Sequence, residues 1–162
     1  MLRPFGFAAA PLLRAFAAIA FLAAATAAPL AEELWKTLPD PQPLPKPDTT
    51  GTVETDGAKI WYATFGEGKG SPVQLLHGGL GNSDYWGNQL PALTDKHEVI
   101  VIDTRGHGRS TKGDKPFSYD LFAADALAVL DHLKIDKVAL VGWSDGGITG
   151  LDIAINHPER LS

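Results

Sequence analysis

Hydrophobic and polar positions along this chain repeat with two different periods, and the switches between them lay out its elements. The runs Thr52–Thr55 and Lys59–Phe65 are β-prone and flank Asp56-Gly57, a pair that accepts positive φ and so predicts a two-residue hairpin. Pro72–Leu76 is a short apolar strand. Glu98–Ile102 is β-branched and apolar on both faces, as a strand inside a parallel sheet must be. Between them, Tyr85–Leu93 predicts a helical turn capped by Ser83 or Asp84 and disturbed by Pro91. After Ser118, a capping residue, Phe122, Ala126, Val129, Leu130 and Leu133 recur at helical spacing and predict a helix through Leu133. Lys137–Val141 is the next buried strand, and Gly146–Asn156 the helix that follows it, ended by Pro158. A hairpin followed by strand–helix units predicts an α/β fold with a mainly parallel sheet covered on both sides.

Two segments fall outside this pattern. Residues 1–27 combine Arg3 and Arg14, an apolar run Ala15–Ala25 and the small-residue site Ala25-Thr26-Ala27, which is the layout of a secretory signal peptide. Export to the periplasm or medium is therefore expected, with an uncleaved anchor as the alternative and no other membrane partner. Residues 28–50 carry Pro39, Pro41, Pro43, Pro45 and Pro47 at every second position, which forbids a helix and favours an extended arm on the surface. The globular domain is placed at 51–162.

Composition narrows the function classes. The chain is 44% hydrophobic and 20% charged, ordinary for a globular domain. A formal charge of −5 with no basic run gives nucleic acid no footing. The absence of cysteine excludes disulfides and thiolate metal sites.

The chemistry gathers where strands end. Gly142-Trp143-Ser144-Asp145-Gly146 follows a strand and opens a helix, so Ser144 is expected at a strained turn with glycines on either side to avoid clashes. Gly147 extends the run of small residues where the helix would pass its neighbours. His77-Gly78-Gly79-Leu80-Gly81 closes the third strand, and its N–H groups can point into a cavity. The expected oxyanion donors are the N–H of Gly79 or Leu80 together with that of Asp145. His77 is expected to be a hydrogen-bonded structural residue. Asp103-Thr104-Arg105-Gly106-His107-Gly108-Arg109-Ser110 predicts a structural turn in which Asp103 accepts backbone N–H groups. Asp145 either meets a cation such as a substrate amine, or caps the helix that it opens. Trp143 is a second candidate for substrate contact.

These motifs, in this order over roughly residues 52–162, resemble the α/β-hydrolase superfamily. The Gly-Trp-Ser-Asp-Gly-Gly run is similar to its biphenyl-hydrolase-like, valacyclovir-hydrolase-like branch. The resemblance implies a serine hydrolase of small-molecule esters or related acyl and amide bonds. Ser144 would be the nucleophile, Gly79 and Asp145 the oxyanion donors, with no cofactor and no metal. In that family the triad acid and histidine follow the serine. Here the residues after Ser144 contain Asp152, His157 and Glu159, on the elbow helix or at its end. Asp152 lies more than two turns along, about 12 Å, and cannot reach back. The chain is therefore read as the N-terminal portion of the fold, truncated after the elbow helix and inactive alone. The alternatives are a non-enzymatic remnant, or the same fold with C–C hydrolase or perhydrolase chemistry.

Overall fold

In the computed structural model, which describes residues 36, 38–40 and 42–162, five strands form one mixed sheet in the order β1-β2-β4-β3-β5. The strands are β1 (Thr49–Thr55), β2 (Ala58–Phe65), β3 (Val73–Leu76), β4 (Val99–Ile102) and β5 (Ala139–Gly142). The helices are α1 (Leu90–Leu93), α2 (Tyr119–His132) and α3 (Asp145–Asn156), with 3-10 turns at Ser83–Trp86 and Pro158–Arg160. The chain divides into two compact units, 1–40 and 41–162, and the sheet belongs to the second. The expected signal peptide at 1–27 lies outside the described residues.

The hairpin forms where Asp56-Gly57 predicted it, with Thr55 opposite Ala58 and both turn residues at positive φ (45° and 75°). Its first strand begins at Thr49 rather than Thr52, because Thr49–Gly51 also find partners on β2. The hairpin joins β4 antiparallel through Tyr62–Phe65, whereas β4, β3 and β5 run parallel. Leu76 stands opposite both Ile102 and Gly142, so all three parallel strands end at one edge. That edge is where an open α/β sheet presents its loops to a ligand.

Two apolar layers hold the sheet. On one face Ile60, Leu76, Ile100 and Ile102 pack against Ala126, Val129 and Leu130 of α2 and Ile153 of α3. On the other, Phe65, Val73, Leu75, Val99 and Val101 pack against Trp86, Leu90, Leu93 and, from the proline-rich arm, Leu44. Each fully buried Leu or Ile contributes about 1.5–3 kcal/mol. Both long helices thus lie on the same face, and short turns and the arm cover the opposite one. The described part of the arm is non-helical, and its Gln42 and Pro43 carbonyls lie where a side chain on Gly87 would be.

Local signals were met with small shifts. Ser118 caps α2, its Oγ accepting from Leu121 N at 3.2 Å. The helical turn after β3 is capped by Asn82, which accepts from Asp84 N at 2.8 Å, and not by Ser83 or Asp84. Asn82, Ser83 and Asp84 are all capping residue types, and only the buried partner of Ser83, Asp103, sets the register. The expected Tyr85–Leu93 element is split, with Pro91 in the first turn of α1. β5 is apolar as expected but lies at the sheet edge among the described residues, and Val141 is 43% exposed. A parallel bridge pairs Val138 with Leu161.

Candidate active site

Ser144 sits between β5 and α3 at φ 53° and ψ −121°, a conformation that costs an L-residue about 1–3 kcal/mol. Trp143 N donates to Leu76 O at 3.1 Å, so the chain stays paired to β3 up to the elbow. A Cβ on Gly142 would run into Gly146 O, and one on Gly146 into Leu76 O. Both glycines are therefore required. Gly147 is not: its Cβ would make an ordinary contact at 3.4 Å, and the close pass of α3 falls instead at Gly150, against Leu140. Ser144 is exposed and makes no side-chain cap, and among the described residues no group hydrogen-bonds its Oγ.

The loop after β3 lies against this elbow. A Cβ on Gly78 would stand 3.2 Å from Ser144 Cβ and 3.2 Å from the Trp143 ring. Gly81 N closes the turn on Gly78 O at 3.2 Å, and Leu80 has φ 60° and is 98% exposed. Among the described residues nothing accepts from the N–H of Gly79 or Leu80. His77, buried beneath, is a structural residue as expected. Its Nε2 accepts from Thr104 N at 2.9 Å, and its Nδ1–H donates to Gly78 O at 2.7 Å. That pattern requires a neutral ring, and burial pushes its pKa down.

The charged loop after β4 is likewise structural. Asp103 is fully buried and accepts from Ser83 N (2.9 Å), Ser83 Oγ (2.5 Å), Arg109 N (2.7 Å) and Arg109 Nε (2.7 Å). Burial pushes its carboxyl up, but the Arg109 and Ser83 donors outweigh burial and hold it below the usual range. The Arg109 guanidinium lies 3.7 Å over Trp61. Arg105 makes a buried bidentate pair with Asp125 of α2 (2.8 and 2.7 Å), and also bonds Thr55 O and Asp56 O at the hairpin turn. His107 is turned to the Arg105 carbonyl at 3.0 Å and faces no carboxylate in a hydrogen bond.

Beside the elbow a cleft of about 370 Å³ is lined by Gly79, Leu80, Phe117, Tyr119, Phe122 and Asp145, among others. Asp145 is the first residue of α3, yet it does not cap the helix. Its Oδ1 accepts from Tyr119 OH at 2.8 Å, and its Oδ2 occupies the space that a Cβ on Gly79 would take. The helix-cap reading of Asp145 is thereby corrected. The sequence does not mark Tyr119 and Phe117 as site residues, and it marks Phe122 only as part of the helical repeat of α2. The signal missed was that Ser118 starts α2 with an aromatic pair on the turn facing α3. Trp143 is 55% exposed and tilts against Tyr85 at 6.0 Å, away from the lining of this cleft. Asp152 and His157 lie on α3 and just past its end, with His157 Nδ1 3.7 Å from Glu159. Among the described residues no cluster of His, Cys, Asp and Glu is arranged to hold a metal, and no helix is long and apolar enough to cross a membrane.

Residues 71–162 match the model of the alpha/beta hydrolase fold. The chain belongs to the α/β-hydrolase family. The chain is 38% identical over 112 residues to 3-oxoadipate enol-lactonase 2 of Acinetobacter baylyi, covering 68% of itself and 42% of that protein. It is 41% identical over 118 residues to the serine hydrolase BPHL of Homo sapiens, covering 70% of itself and 40% of that protein. Among solved structures it superposes on Est816, described as an N-acyl homoserine lactone degrading enzyme, with a TM-score of 0.65 and 40% identity, covering 68% of this chain and 42% of that one. The chain thus spans about two-fifths of the length of these relatives. The superfamily and fold drawn from the three glycine-rich motifs are borne out.

Proposed function

We propose that Ser144 is the nucleophile of a serine hydrolase acting on esters or related acyl bonds of small molecules. Its Oγ attacks the substrate carbonyl, and the oxyanion that forms is held by the N–H of Asp145 with that of Gly79 or Leu80. The observation that carries this reading is the positive φ of Ser144 on an exposed turn, maintained by two glycines that tolerate no side chain. The uncommitted N–H groups of Gly79 and Leu80 beside it supply the electrostatic half. Asp145, in a cleft with Phe117, Tyr119 and Phe122, meets a cationic group on the substrate through its carboxylate and the ring faces. We read the segment 1–27 as an export signal on its composition alone.

A serine without a base is a weak nucleophile, and no described histidine or carboxylate bonds Ser144 Oγ. The purified chain is therefore expected to turn over p-nitrophenyl esters negligibly. Prolonged exposure to a fluorophosphonate should nonetheless place the label on Ser144, read by peptide mass spectrometry, and Ser144→Ala should lose it. Labelling spread over other serines would sink the nucleophile assignment. Ser144-dependent ester turnover would keep the nucleophile and overturn the claim of inactivity.

A further inference from the structure

Asp145 and Tyr119 are each the first residue of a helix, and their side chains meet although they are 26 residues apart. A carboxylate at the start of α3 has an obvious alternative place to go. The first N–H groups of a helix have no intrahelical acceptor and attract negative charge. Here the Ser144 side chain leaves that end uncapped. The Asp145 carboxylate nevertheless turns outward, with Oδ1 on the Tyr119 hydroxyl and Oδ2 against Gly79 at the wall of the cleft. Two contacts hold the phenol in place. Ser118 caps α2, which fixes the turn carrying Tyr119, and the Phe122 ring packs edge-on to Tyr119 at 6.1 Å.

We propose that Tyr119 is a positioning residue, whose hydroxyl draws the Asp145 carboxylate off its own helix end and presents Oδ2 to a cation in the cleft. The proposal rests on the cation-binding reading of Asp145 given above. Its physical content is preorganisation: the tether fixes a side chain that a ligand would otherwise have to immobilise. It also keeps the carboxylate from occupying the Asp145 N–H that the oxyanion requires. Donation to Asp145 pushes the Tyr119 phenol pKa up, so the tether persists across the neutral range.

The test uses the full chain and two probes of one shape, benzylammonium and benzyl alcohol, titrated by ligand-observed NMR. General damage to the cleft weakens both, so the ratio of their affinities isolates the carboxylate. Wild type is expected to prefer benzylammonium. Tyr119→Phe should lower that preference about three- to tenfold, the loss expected from freeing one side chain. Asp145→Asn should bring the ratio near one, and Tyr119→Phe added to Asp145→Asn should lower it no further. If Asp145→Asn removes the preference and Tyr119→Phe keeps it, the positioning role fails and the cation reading stands. If wild type shows no preference, or Asp145→Asn leaves it intact, the cation reading fails and takes the proposal with it. Should Tyr119→Phe not fold, Ser118→Ala loosens the same turn while leaving phenol and carboxylate in place. An unchanged ratio in that variant overturns the proposal.

Discussion

The loop after β4 and the turn after β5 leave the same edge of the same sheet and are built on opposite terms. Around β4 the polar groups are answered: Asp103 is buried among five donor atoms of Ser83 and Arg109, and Arg105 is locked to Asp125 and to the hairpin carbonyls. Around β5 they are left open, with Ser144 exposed, strained and uncapped, facing loop N–H groups that have no acceptor among the described residues. Buried polar groups are expected to be satisfied, and strain is expected to persist only where the surroundings over-determine it. The contrast therefore sorts two charged, glycine-rich motifs that look alike on paper. The satisfied one holds the fold, and the unsatisfied one leaves a hydroxyl and N–H groups without partners among the described residues. Substitutions in the two regions should consequently change stability with opposite signs.

The largest effect is expected at Arg105. Removing it strands Asp125, which is 2% exposed, as an unpaired buried charge, and breaking such a pair costs about 3–5 kcal/mol. Against a typical domain stability of about 5–15 kcal/mol, Arg105→Ala should come close to unfolding the chain in urea titration. The double variant Arg105→Met, Asp125→Leu should be markedly more stable than either single loss, because an apolar pair leaves no charge behind. If Arg105→Ala unfolds with an unchanged midpoint, the β4 loop is not the structural cluster described here.

A smaller effect, visible as a pH dependence, separates the buried groups of the same edge. His77 has a folded pKa below its unfolded value of about 6.5. As pH falls through that unfolded value the unfolded chain takes up the proton first, so stability should begin to drop there. Asp103 is also held low, so its contribution is complete above an unfolded value of about 3.9 and is lost as pH falls through the folded one. Urea midpoints measured from pH 8 to pH 3 should fall in two stages. His77→Gln should flatten the first stage alone, and Asp103→Asn the second alone. A His77→Gln profile parallel to wild type between pH 7 and 5 would contradict the neutral, buried ring.

How much of this was legible in the sequence depends on how far apart the partners lie. Asp56-Gly57 announced its hairpin and Gly142–Gly146 its elbow, because the steric demand and the residues that meet it are neighbours. Ser118 likewise caps a helix three residues on. The pairs that define the site and its support are not local. Arg105 finds Asp125 and Tyr119 finds Asp145 only after α2 has packed between the hairpin and α3. Asp145 shows the cost of reading locally: helix-start propensity favours a cap, and a phenol from another helix overrides it. The placement of β4 between β2 and β3 is equally non-local, since each strand alone is an apolar run that fits several positions. Sequence patterns thus located the strained serine and left open which charges surround it.

The smallest expected effect is the most discriminating, because its sign is unusual. Ser144 is a non-glycine residue at φ 53° and ψ −121° with an exposed side chain and no cap to lose. Replacing it with glycine removes the Cβ that makes this backbone costly, which should relieve about 1 kcal/mol. Part of that gain is offset by the extra freedom glycine gives the unfolded chain, so the net stabilisation should be a few tenths to 1 kcal/mol. Ser144→Ala serves as the control, since it keeps the Cβ and the strain and should leave the urea midpoint near wild type. An ordinary turn residue would behave in the reverse way, with glycine destabilising and alanine neutral or better. A rise in midpoint for Ser144→Gly alone, with loss of fluorophosphonate labelling in both variants, would mean that this turn carries strain maintained for the hydroxyl it displays. A fall would place Ser144 with the satisfied, structural residues of the β4 loop.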